Sequence, residues 1–152
     1  MNIHWKIVKI LLCASFTGVV LLTAAGFSPA MAYTGDVVVI CNASVNVDSL
    51  SRRDIKNIFL GKNTRWEDGQ KISFVTLACG DEHDAFLKHY VGKTSSQFNN
   101  FWKKKAFTGK GKIPQSFTAP EELIDYVMKT PGAIGYVPSS AYQNQTKSIM
   151  ID

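Results

Sequence analysis

Several things are scarce in this sequence of 152 residues, and each scarcity closes off a class of protein. No internal repeat or low-complexity segment occurs, and 45% hydrophobic with 19% charged residues is an ordinary globular mixture, neither disordered nor collagenous. No apolar run reaches the roughly 20 residues of a membrane-spanning helix. The longest, Ile10 to Ala25, has 16 residues and contains Gly18. Acidic residues are absent from the first 32 positions, and no Cys follows Leu22-Thr23-Ala24-Ala25-Gly26, which argues against a lipoprotein.

What stands in that acid-free stretch is informative. Lys6 and Lys9 precede the apolar run, and the small-residue triplet Ala30-Met31-Ala32 closes it. This is the pattern of a secretory signal peptide over 1–32, cut after Ala32; a retained membrane anchor is the alternative. The expected product is one α/β domain over 33–152, periplasmic or secreted. Its 120 residues suffice for one modest core. The export segment takes two of the 17 basic residues and none of the 12 acidic ones, so the remainder carries net charge +3 instead of +5. That balance gives no argument for a nucleic-acid partner. It also takes Cys13 and leaves Cys41 and Cys79, an even pair suited to a disulfide in an oxidising compartment, with two free buried thiols as the alternative.

Val37-Val38-Val39-Ile40 is a continuous β-branched run, as in a strand covered on both faces of a parallel sheet. Ser51 with Asp54 forms a capping-box pattern before Ile55, Ile58 and Phe59, and Gly61 ends that helix. Lys62 to Lys71 reads as a loop anchored by Trp66, and Ile72 to Leu77 as a second strand. After Gly80, the acidic turn Asp81-Glu82-His83-Asp84 opens a helix ended by Gly92. Thr94 or Ser95 caps the next helix, whose apolar face is Phe98, Phe101 and Trp102. Phe107 to Phe117 reads as a loop, and Thr118 with Glu121 as a second capping box. Ala133 to Val137 is a third strand and Lys147 to Ile151 a last short one. Strands alternating with helices predict an α/β sandwich around a small, mostly parallel sheet.

Three stretches go beyond that pattern. Leu50-Ser51, Ile58-Phe59-Leu60-Gly61-Lys62 and Trp66-Glu67-Asp68-Gly69 resemble a segment of the periplasmic phosphate-binding proteins of ABC transporters, which are type II periplasmic binding proteins. Pro131-Gly132-Ala133-Ile134-Gly135-Tyr136-Val137, followed by Ala141-Tyr142, is similar to another run of that family. The resemblance spans Val37 to about Gln145. It implies a single periplasmic-binding-protein-like lobe, the second of the two that grip phosphate between them. It also implies that an Arg and a Gly-Ser-Gly-Thr turn after the second strand hold the anion through backbone N–H groups and hydroxyls. Here the matching stretch, Thr76 to Asp84, keeps Gly80 and Thr76 but brings in three carboxylates. Each would repel a nearby anion by roughly 1 kcal/mol or more at intermediate dielectric. The ligand-binding candidates are Thr76, the backbone at Gly80, Asp81 and Glu82, and Ser44 and Ser49 near the first loop.

Cys79, Asp81, Glu82, His83 and Asp84 are a dense run of metal-capable side chains, but His89 is turned away from His83, and N-terminal helix capping is the simpler reading. A Cys79–His83 nucleophile pair conflicts with the expected disulfide. Lys103, Lys104, Lys105, Lys110 and Lys112, interleaved with Trp102 and Phe107, form either a solvated helix end or a patch for an anion, a lipid headgroup or an acidic partner. Trp66 and Trp102 read as packing residues whose indole N–H groups find carbonyls. The sequence predicts a non-enzymatic exported protein, without cofactor or metal, that binds phosphate or another oxyanion. It would serve as the substrate-binding component of a phosphate ABC transporter, directly or with a partner that completes the cleft: a membrane transporter, another periplasmic protein, or a second copy in a homodimer. The alternative is a single-lobe protein-interaction module that has lost its ligand.

Overall fold

The computed structural model describes residues 37–152; the export segment read at 1–32, its cut after Ala32, and Cys13 lie outside the described residues. One six-stranded sheet forms the centre. Its strands are β1 (Val37–Cys41), β2 (Ser49–Leu50), β3 (Ser73–Leu77), β4 (Gln115–Phe117), β5 (Ala133–Pro138) and β6 (Lys147–Ile151), in the order β2-β6-β1-β5-β3-β4. The pairings β2–β6, β3–β5 and β3–β4 are parallel, whereas β1 is antiparallel to both β5 and β6. Five strands therefore share one direction and β1 alone opposes them. The apolar run at β1 signals burial on both faces and carries no information on direction.

The helices are α1 (Arg52–Phe59), α2 (Asp81–Phe86), α3 (Ser95–Phe107) and α4 (Pro120–Lys129); α2 passes straight into a π-helical turn at Leu87–Val91. The expected capping box of Ser51 with Asp54 is formed, and Thr94, one of the two caps expected for α3, forms a box with Gln97. The second expected box, Thr118 with Glu121, is not formed: the N-cap of α4 is Ala119, which makes no side-chain cap bond. Pro120 in the first turn lacks an N–H, so one of the donors a cap would serve is already gone. A second correction concerns Gln115–Phe117, which pairs with β3 as an edge strand instead of looping. Two of its three residues are exposed, so it has no apolar alternation to read.

Side chains of α1, α2 and α3 cover one face of the sheet. Phe86 stacks on Tyr136 at 3.6 Å between centroids, Phe59 reaches Tyr136 and Phe74, and Phe74 meets Trp102 at 5.3 Å. The opposite face carries α4, where Tyr126 meets Phe117 and bonds the Ser73 hydroxyl. Two glycines of the Pro131–Val137 run have steric reasons. A Cβ on Gly135 would lie 2.7 Å from Leu123 of α4; one on Gly132 would lie 2.3 Å from the Lys71 carbonyl, and Gly132 sits at φ +73°. Trp66, as expected, donates its indole N–H to the Gly132 carbonyl at 3.0 Å, and Trp102 to Phe59 at 3.2 Å. The buried core runs from Val39 to Ile149, so the compact unit Tyr33–Asp152 contains all of it.

The expected Cys41–Cys79 disulfide is not formed: Cys41 is buried, Cys79 exposed, and both are free thiols. Cys41 pairs with Ile134, which pairs with Phe74. Cys79 thus lies two strand spacings across and five residues along from it, on the order of 18 Å, against the roughly 7 Å a disulfide can span. Burial pushes the Cys41 thiol up to about 11.

Candidate functional site

The carboxyl ends of β3 and β4 gather most of the expected ligand residues. Alternation along β3 puts Thr76 on the same face as Phe74, beneath α3. The parallel register sets Thr76 beside Ser116, and their hydroxyls bond at 3.1 Å. Beyond Leu77 the chain turns through Ala78 and Cys79 to Gly80, the N-cap of α2, whose φ of 112° requires glycine. Next to Thr76 and Ser116 lies a cavity of about 50 Å³, whose polar lining also includes His83 and, from α3, Asn99 and Lys103. One water needs at least roughly 10–15 Å³ in this measure, so the space is large enough to admit water or a small ion.

The carboxylates of α2 do not line this cavity. Asp81 and Asp84 are exposed, Glu82 is half-buried, and the Ser95 hydroxyl donates to Asp84, tying the start of α3 to the first turn of α2. His83 points the other way. It is buried, with its Nδ1 2.5 Å from the Tyr136 hydroxyl. Burial lowers the imidazole pKa from its ordinary value, and Asp84 opposes that only partly. Burial likewise raises the Tyr136 hydroxyl far above the usual phenol range. The two rings thus form a neutral hydrogen-bonded pair, with His83 at the cavity wall, and His83 is not grouped with Cys79, which is exposed.

Ser44 and Ser49 stand apart from this cluster. β1 opposes β3, so its carboxyl end and the turn after it lie at the other end of the sheet. There the Ser44 hydroxyl accepts from Gly132 N–H at 3.2 Å and from Gln70 at 3.2 Å. Ser49 pairs with Met150 at the opposite edge of the sheet. It lines a separate open hollow of about 400 Å³ with Asp48, Asp54, Arg65 and Glu67, a lining with more carboxylates than cations. Of the lysines, Lys105 donates to the Leu60 carbonyl at 2.9 Å and sits over the Phe101 and Trp102 rings, so it belongs to the fold. Lys103, Lys104, Lys110 and Lys112 are exposed.

Three residues of the cavity escaped the sequence reading. Ser116 is found only through the β3–β4 register, Asn99 carries no motif that would single it out, and Lys103 was read as part of the lysine patch alone. Tyr136 was legible as strand core but not as the partner of His83, fifty-three positions away.

Comparison with known proteins bears on the same fold. A family model described as a PBP superfamily domain matches residues 23–150. Among solved structures, the chain is similar to an ABC-type phosphate transport receptor from Vibrio cholerae, at 18% identity and a TM-score of 0.59, over 76% of this chain and 45% of that one. It is also similar to PstS from Borrelia burgdorferi, at 14% identity and a TM-score of 0.57, over 76% of this chain and 47% of that one. A phosphate binding protein from Stenotrophomonas maltophilia matches at 20% identity and a TM-score of 0.51, over 77% and 39%. At these identities the likeness is one of fold, and this chain spans less than half of each of the three. No curated protein matches it.

Proposed function

Because the chain belongs to the PBP superfamily, we propose that it is an exported, non-enzymatic binding protein that holds phosphate or a similar oxyanion at the carboxyl ends of β3 and β4. One observation carries this reading: the polar residues lining the cavity there are Thr76, Ser116, Asn99, Lys103 and the neutral His83, with no carboxylate among them. Such a lining offers donors and one positive charge to an anion. The three carboxylates that argued against an anion at α2 lie outside the lining. The structures it resembles are described as phosphate-binding or phosphate-transport proteins, which supports phosphate as the ligand.

The chain matches less than half of each of those proteins, so the proposal includes a second surface that closes over the anion. A transporter subunit, another periplasmic protein or a second copy of this chain would supply it. Removal of residues 1–32 and a periplasmic location belong to the same proposal. Ser44 and Ser49 have no place in it.

Titration of phosphate into Tyr33–Asp152, with chloride at equal ionic strength as control, tests the reading. With a Kd near 1 mM, phosphate at ten times that level adds about 1.4 kcal/mol of stability, or about 5 °C in Tm. The gain should vanish in a Thr76→Val/Ser116→Ala variant. Absence of both heat and a Tm shift at that concentration sinks direct binding. It would favour the alternative, an interaction module without ligand, for which the replaced Gly-Ser-Gly-Thr turn is the supporting feature.

A further inference from the structure

Between Ala85 and Pro120 the chain has seven lysines and no acidic residue. Lys93 and Lys105 lie over the Phe101 ring, and Lys105 also holds the end of α1. Lys103, Lys104, Lys110 and Lys112 stay exposed around the carboxyl end of α3. Two large apolar side chains stand among them: Phe107 is 94% exposed and Ile113 61%. Lys103 and Lys104 precede Phe107 by four and three residues and so share its face of the helix. The following loop folds back onto α3, since a Cβ on Gly111 would lie 3.0 Å from the Trp102 ring, and Ile113 lines the same cavity as Lys103. Both apolar tips and all four ammonium groups therefore flank one end of one helix.

We propose that this end of α3 docks on an anionic lipid bilayer, with Phe107 and Ile113 entering the headgroup boundary and the four lysines facing lipid phosphates. This goes beyond the oxyanion reading and uses a different surface, which meets the cavity at its border through Lys103 and Ile113. The chemistry favours a bilayer over an acidic protein. All the cations here are lysines, flexible point charges without the fixed fork of arginine, and the aromatic is a projecting tip instead of part of a broad face. A fluid anionic surface demands no fixed geometry and accepts such a tip among basic residues.

Sedimentation of Tyr33–Asp152 with phosphatidylcholine vesicles, and with vesicles containing about 30% phosphatidylglycerol, is the test. Lys103 is left unaltered because it lines the cavity. Binding is expected to the anionic vesicles alone and to weaken steeply at about 0.5 M salt. A Lys104→Gln/Lys110→Gln/Lys112→Gln variant should lose about a hundredfold, from roughly fivefold per lysine. Phe107→Ser should lose at least about tenfold. All four side chains are exposed, so both variants should keep the parent Tm. Three outcomes would overturn the proposal: no binding to anionic vesicles, binding indifferent to these substitutions, or binding to soluble polyglutamate as tight as to vesicles and untouched by Phe107→Ser. Full displacement from vesicles by millimolar inorganic phosphate at constant ionic strength would overturn it too, by assigning the surface to free anions.

Discussion

His83 stands in a run of Asp, Glu and Cys that reads as solvent-facing, yet it is 3% exposed and its partner Tyr136 is fully buried. Period-3.6 placement explains this. One turn of helix carries His83 and Phe86 inward together while Asp81 and Asp84 face out. The pair makes stability depend on pH. The folded-state pKa of His83 lies below its unfolded value of 6.5, chiefly through burial. The unfolded chain therefore binds the extra proton first as the pH falls. The contribution is complete above about pH 6.5 and is lost progressively below it. We expect Tm to be level between pH 7 and 8 and to decline from pH 6.5 toward 5, and a His83→Gln variant to show a flatter decline across that window. An unchanged slope in the variant would assign the acid sensitivity to carboxylates instead. Trp66 and Trp102 were legible as packing anchors from residue type alone. Ser116 was not, because its neighbour Thr76 is forty residues away and only a strand register joins them.

At the scale of elements, capping chemistry separates what is readable from what is not. Ser51 and Thr94 each accept a backbone N–H and are each answered by the residue three positions on, so the pattern in the sequence is the bond in the structure. Thr118 shows the same pattern with Glu121, but Pro120 displaces the helix start to Ala119. Replacement with alanine distinguishes them. Ser51→Ala and Thr94→Ala should each cost about 1 kcal/mol in denaturant unfolding, and Thr118→Ala less than about 0.5 kcal/mol. A loss of about 1 kcal/mol at Thr118 would contradict the assigned start of α4. The π-helical turn after α2 left no mark in the sequence, since Phe86, Leu87, Tyr90 and Val91 suit an α-helical face equally well. Strand β4 was hidden for a different reason: an edge strand with two exposed residues needs its neighbour, not its own pattern, to form.

The whole molecule was legible as a mixed-order chain of strands and helices, and the Pro131–Val137 run with the Trp66 segment pointed to the lobe. Neither could reveal the reversed strand, because direction is decided by which strands flank β1, and both come from the far end of the chain. Val38 pairs with Val137, and Val39 with Ile149. β6 also supplies the pairing partner of β2, and Lys147 reaches the Val45 carbonyl and Asp48. Deleting Lys147–Asp152 should therefore abolish cooperative unfolding instead of trimming stability slightly. A truncated chain that melts within a few degrees of the parent would show β6 to be dispensable. The same arrangement governs the order of assembly. The first strand cannot find either neighbour until about a hundred more residues have been made, and contacts of such long separation close slowly. A chain emerging residue by residue therefore lacks the β1–β5 pairing at the centre of its sheet until Ala133–Pro138 has been made, and its first strand stays open to other partners over that whole span.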